Sequence, residues 1–66
     1  MKVQVNGEAK DVPEGTTVRS LVELLGLADG PVAVEKNGDI VRRAQHVSEM
    51  LVEGDVVEIV HFVGGG

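Results

Sequence analysis

Thr17-Val18-Arg19-Ser20-Leu21-Val22-Glu23-Leu24-Leu25-Gly26-Leu27 repeats its apolar residues at helical spacing. Val18, Leu21, Val22 and Leu25 recur three and four positions apart, so a helix over 18–25 has one apolar side. Thr17 before it suits the N-cap, where a hydroxyl accepts a hydrogen bond from an early helix amide. Gly26 suits the left-handed position just past the end, and Leu27 the apolar contact that accompanies a Schellman cap. One such helix needs a surface to bury its stripe against, and the flanking sequence supplies strands.

On the N-terminal side, Met1, Val3 and Val5 alternate with Lys2 and Gln4, the pattern of a half-buried strand. Asn6-Gly7 is a hairpin signal, because both residues tolerate positive φ in a type I′ turn. Glu8 to Val12 returns, and Pro13-Glu14-Gly15 ends the return. On the C-terminal side, Asp29-Gly30-Pro31 is a loop and Val32 to Lys36 a strand. Asn37-Gly38 repeats the hairpin signal, and Ile40-Val41 begins a short return. Arg42 to Leu51 is less regular, with a single helical turn expected near Ala44 to Val47. After a turn at Glu53-Gly54-Asp55, Val56 to Val63 is the longest strand, and its nearly continuous apolar character places it centrally in a sheet. One helix covers only one face of a sheet, so the order of elements gives an α+β domain with a four- to five-stranded sheet and one main helix on one face.

The chain has 66 residues, enough for one small domain. Such a chain buries only about 60% of the surface its unfolded form exposes. That leaves little room for an enclosed catalytic cavity and favours a carrier or binding module over an enzyme. The apolar fraction of 42% fits a packed fold, and Phe62 is the one aromatic ring of the Phe/Tyr/Trp class. Single-strand nucleic-acid binders need stacking rings and a basic groove; a formal net charge of −5 argues against nucleic acid and anionic membrane alike. Without cysteine there is no disulfide, thiol nucleophile or Cys-based zinc site. His46 and His61 show no recognisable metal-ligand spacing, so neither a metal nor an intrinsic cofactor is expected. No signal peptide or membrane-length apolar run is visible, and the expected location is the cytoplasm.

Gly64-Gly65-Gly66 closes the sequence. Glycine loses the most backbone entropy on ordering and offers no side chain to pack, so these residues do not stabilise a fold. For an arbitrary protein they would be a frayed end. Chemistry offers an alternative. A carboxylate becomes electrophilic once its oxygen has attacked the α-phosphorus of ATP to give an acyl-adenylate, from which a sulfur donor displaces AMP and leaves a thiocarboxylate. Residues without Cβ pass through a narrow channel into another protein's active site, and a glycyl carbonyl is unhindered to attack. The expectation is therefore a folded domain over residues 1–63 and a flexible reactive tail over 64–66.

These features together resemble the ThiS family, the sulfur carriers of thiazole formation in thiamine biosynthesis. The resemblance rests on Val5-Asn6-Gly7, on Pro13-Glu14-Gly15-Thr16-Thr17-Val18 leading into Leu21 and Leu24-Leu25, on Val32 through Val41, and on Glu53 through Val60 running to Gly64-Gly65-Gly66. It covers essentially the whole chain, and the specificity lies in the order and spacing of pieces that are individually weak. It implies a β-grasp, ubiquitin-like fold with the first and last strands parallel neighbours. It further implies that Gly66 is adenylated by an E1-like enzyme of the ThiF type, converted to a thiocarboxylate, and used to donate sulfur to a thiazole synthase of the ThiG type. Gly65 would be its essential neighbour and Gly64 a spacer. ATP and the sulfur donor would act through those partner enzymes, and the free carrier would be a monomer rather than an enzyme in its own right. Arg42-Arg43 departs from the many relatives that have a proline before the arginine.

Alternatives of other kinds remain beside this reading. A molybdopterin-synthase-type or other ubiquitin-like sulfur carrier shares the fold and the Gly-Gly end, although Asn37-Gly38 favours the thiamine branch. A non-covalent β-grasp interaction module, in which the glycines are inert, and a modifier that forms isopeptide bonds are the others. Alternation puts Val60 and Phe62 on one face of the last strand and Val57, Ile59, His61 and Val63 on the other. If Val57 and Ile59 face the helix, Val60 and Phe62 form a partner docking patch beside the tail. His61 is not needed as a base in a carrier. Glu53, Asp55 and Glu58 are expected to be solvated charges.

Overall fold

The computed structural model describes residues 1–28 and 30–62. Local signals and observed elements agree closely: β1 (Lys2–Val5), β2 (Glu8–Asp11), α1 (Val18–Leu24), β3 (Val32–Lys36), β4 (Asp39–Val41), a 3₁₀ turn at Arg43–Gln45 and β5 (Val56–His61). The five strands form one mixed sheet in the order β2-β1-β5-β3-β4. β1 and β5 are parallel, with Gln4 opposite Val56 and Val5 opposite Val57. The other pairings are antiparallel. The backbone ladder of β1 and β2 reaches one residue beyond each strand, through Val12 N–H to Met1 O at 2.9 Å.

The helix ends are satisfied in detail. Thr17 is the N-cap, with its Oγ1 accepting from Ser20 N–H at 3.1 Å. At the other end Gly26 takes φ 74°. Leu27 N–H donates to Val22 O at 3.0 Å and Gly26 N–H to Glu23 O at 3.0 Å. Those two bonds are the Schellman pattern that Gly26-Leu27 predicts. The first helix amides, which no helix can satisfy internally, find partners far along the chain: Val18 N–H donates to Glu49 O at 2.9 Å and Arg19 N–H to His46 O at 2.8 Å. The irregular segment after β4 therefore has a structural task, closing the start of α1. Leu51 N–H donates to Thr16 O at 2.9 Å and fixes its far end.

Val3, Val5, Val34, Val57 and Ile59 of the sheet and Val18, Leu21 and Val22 of the helix belong to one buried cluster, with Val12, Val41 and Leu51 at its borders. Each such side chain contributes roughly 1.5–3 kcal/mol by leaving water. β5 is central, as its composition suggests, but not because both faces are buried. Its burial alternates, with Val57 and Ile59 inside and Val56, Glu58 and Val60 exposed. Among the described residues the one α-helix covers a single face, and no further layer lies on the far face of the sheet, which stays open.

One polar residue departs from expectation, and a second is buried like it. Asp55 is not a solvated turn charge: it is 5% exposed, and its carboxylate accepts from Val52 N–H at 2.8 Å and Asn37 Nδ2 at 2.9 Å. His46 is equally buried, with Nε2 3.0 Å from Val41 O. A carbonyl only accepts, so Nε2 carries the proton. Glu53 accepts from Lys2 N–H at 2.9 Å, tying the turn before β5 to β1. No helix among the described residues is long and apolar enough to cross a membrane.

Candidate functional site

β5 delivers the chain to the site. It lies between β1 and β3, and its register with β3 runs from Lys36 opposite Val57 to Val32 opposite His61. One further backbone bond, Phe62 N–H to Pro31 O at 3.0 Å, extends this ladder past the end of the strand. Gly64, Gly65 and Gly66 follow within four residues of that last anchored amide. The tail over 64–66, together with Val63, lies outside the described residues.

Val60 alternates with the buried Ile59 onto the open face of β5 and is 55% exposed, and Phe62, just past the strand, is 53% exposed. The structure adds neighbours that the sequence reading passed over. Ala33 is directly opposite Val60. Ile40, in the edge strand, is 76% exposed and opposite Glu35 on the same face. Ala33, Ile40 and Val60 line a shallow groove with Glu35, Glu58 and Arg42. The signal for Ile40 was present: Val41 next to it pairs with the buried Val34, so Ile40 had to face outward.

The electrostatics of this face are uneven. Glu35 and Glu58 are direct cross-strand partners. Like charges in that arrangement repel and weaken the pairing. A cation from outside would relieve this, and the pair lies between the exposed Val56 and Val60 on β5. Of the three acids suggested as solvated charges, Glu58 alone remains on an open surface without a described side-chain partner role in the fold; Asp55 and Glu53 bind backbone amides.

His61 ends β5, and its ring sits over Gly30. A Cβ at Gly30 would come within 2.7 Å of His61 Nε2. The exposed His61 ring would have to swing aside for any larger residue at position 30. Among the described residues, no three His, Cys, Asp or Glu side chains are grouped to hold a metal ion.

The ThiS family model matches residues 3–66. Over 65 residues the chain is 37% identical to the sulfur carrier protein ThiS of Bacillus subtilis, covering 97% of this chain and 98% of that one. It is 44% identical over 66 residues to the thiazole synthase of Magnetococcus marinus, and spans 20% of the length of that relative. The crystal structure of the thiamine biosynthesis protein (ThiS) from Geobacter metallireducens has the same fold, with a TM-score of 0.83 at 35% identity over the full length of both chains.

Proposed function

Since the chain belongs to the ThiS family, we propose that it is a sulfur carrier of thiamine biosynthesis whose reactive group is the carboxylate of Gly66. The carboxylate oxygen attacks the α-phosphorus of ATP in a ThiF-type adenylating enzyme, and pyrophosphate leaves. A sulfur nucleophile then attacks the acyl carbon of the adenylate, and AMP leaves. When the nucleophile is hydrosulfide the product is the Gly66 thiocarboxylate itself; when it is a persulfide, a thiol reduces the resulting acyl disulfide to the thiocarboxylate and leaves as a disulfide with the donor. A thiazole synthase consumes the thiocarboxylate. The chain contributes a docking surface and the glycine arm; the partner contributes nucleotide binding and charge stabilisation.

The observation that carries this reading is the placement of the glycines. They come soon after the central strand of the sheet, which β1 and Asn6 hold on one side as far as Ile59 and which β3 and Pro31 hold on the other as far as Phe62. A rigid strand followed by side-chain-free residues is a geometry suited to insertion into another protein's active site. The full-length match to a protein named as a sulfur carrier supports the same reading. The match to one fifth of a thiazole synthase supports that enzyme as partner, since it places a domain of this kind in one chain with the synthase. Val60 and Phe62 form the docking patch, with Ala33 and Ile40 extending it, and the repelling Glu35–Glu58 pair selects a basic partner surface.

Incubation with ATP, the adenylating enzyme and a sulfur donor, followed by intact mass measurement, tests the reading. The expected product carries one sulfur in place of one oxygen, and removal of Gly65 and Gly66 abolishes it. An unchanged mass would sink the carrier reading, and a ladder of larger conjugates would replace it with a modifier.

A further inference from the structure

The two hairpin turns share a construction that sulfur transfer does not use. Each starts with an asparagine at positive φ, 51° at Asn6 and 52° at Asn37, and each continues with a glycine. Both asparagine side chains reach across to the last strand. Asn6 Oδ1 accepts from Ile59 N–H at 2.7 Å, and its Nδ2 donates to Ile59 O at 3.1 Å. Asn37 Oδ1 accepts from Val56 N–H at 2.9 Å, and its Nδ2 donates to Asp55 Oδ1 at 2.9 Å. The two turns thus clamp β5 from opposite sides, one at its start and one near its middle.

Asn-Gly is also the dipeptide most open to one chemical change. The deprotonated glycine nitrogen attacks the asparagine Cγ, a five-membered succinimide closes, and ammonia leaves. Water then opens the ring to aspartate or isoaspartate. Glycine has no Cβ to hinder the attack. Ring closure requires the side-chain carbonyl carbon to turn back on its own backbone, so the side-chain hydrogen bonds to Ile59 at Asn6, and to Val56 and Asp55 at Asn37, must break first. In the closed fold Asn6 and Asn37 are held away from the reaction.

We propose that Asn37 is a deamidation site protected by the closed fold, and that its conversion prevents the β3–β4 turn from closing again on β5. The reason lies in its partner. Deamidation replaces the amide donor with a carboxylate oxygen and sets it against the carboxylate of Asp55, which is 5% exposed and still required by Val52 N–H. The nearby ammonium of Lys36 is already engaged by Glu49 and by Met50 O. At Asn6 the same exchange meets only the Ile59 carbonyl, a partial charge in place of a full one. Isoaspartate adds a further mismatch, one extra backbone carbon inside a two-residue turn. Opening of β5 therefore becomes one-way at Asn37. Because β5 leads to the terminal glycines, the modification would limit the working life of the carrier; that consequence rests on the proposed function, whereas the modification does not.

The intact protein is incubated at mildly alkaline pH with and without urea, and peptide mass mapping follows both asparagines. In urea the two sites should react at comparable rates. In the folded protein Asn37 should slow by about tenfold or more, because only opened molecules react. Equal rates at Asn37 with and without urea would overturn the protection. Asn37→Asp should lower the urea midpoint more than Asn6→Asp. Combining Asn37→Asp with Asp55→Asn should restore most of the loss, since amide and carboxylate then exchange ends of the same bond. A double variant no more stable than Asn37→Asp would overturn the carboxylate conflict, and it decides the matter even if the single variant does not fold. Neither measurement involves ATP or sulfur, so failure here leaves the carrier reading standing, and the reverse also holds.

Discussion

On the covered face of the sheet Val3, Val5, Val34, Val57 and Ile59 are all buried; on the open face Ala33, Glu35, Val56, Glu58 and Val60, from two of the same strands, all meet solvent. Valine occurs on both sides, so hydrophobicity of the residue does not by itself tell the faces apart. What separates them is the single helix. The covered valines contribute to the core, while the open ones contribute little to stability and are available to a partner. The Glu35–Glu58 pairing sharpens the contrast, because a like-charge neighbour is tolerated on a face whose residues are not holding the fold together.

The comparison breaks most visibly at Leu21, the large helix residue that faces the sheet at 1% exposure. Leu21→Ala should cost about 2–5 kcal/mol from lost burial and the cavity left behind. Urea denaturation checks it, and a loss no larger than that of an open-face substitution would mean the faces are not energetically distinct. Thr17→Ala removes the hydroxyl that caps the helix covering that face, and should cost about 1 kcal/mol in the same assay.

Lys36 tests a charge at the rim of the covered face. Its hydrogen bond to Glu49, opposed by partial burial and helped by the charges of Glu49 and Asp55, raises its pKa above 10.5. A raised lysine stabilises the fold at pH values below its unfolded pKa, and that contribution disappears as pH rises through the folded value. Stability should therefore fall as pH climbs above about 10.5, near the ordinary lysine value, and Lys36→Met should flatten this decline in thermal melts recorded across the alkaline range.

Open-face changes should be smaller in stability and larger in function. Glu58→Gln relieves the repulsion with Glu35 and should gain about 0.2–1 kcal/mol while slowing adenylation. Phe62→Glu should change stability by about 0.5 kcal/mol or less, yet cut adenylation by the activating enzyme. Normal adenylation of a folded Phe62→Glu protein would remove Phe62 from the docking patch.

Much of the fold was legible because its signals are local. The N-cap at Thr17, the stop at Gly26-Leu27 and the Asn-Gly turns each depend on residues a few positions apart, and all appear where expected. Of the segment between β4 and β5 only a short helical turn and the turn at Glu53-Gly54-Asp55 were legible, because the rest of its backbone is arranged by bonds to Thr16, Val18 and Arg19, some thirty positions earlier. Asp55 looked like a turn charge for a related reason. One of its two partners, Asn37, comes from a distant hairpin, and no spacing along the chain announces that meeting. Of the candidate site, Val60 followed from alternation, whereas Ile40 and Ala33 joined it only through the pairing of β3 with β4 and β5.

The sequence by itself determined the kinds of elements, their order, and the glycines at Gly64-Gly65-Gly66, because helix periodicity, turn chemistry and the absence of a Cβ are properties of neighbouring residues. The tertiary structure decided which strands are neighbours, that one face of the sheet stays open, and that both asparagine turns close on β5. Those outcomes depend on contacts between distant segments, where burial of one apolar layer and the pairing of every buried polar group are settled together.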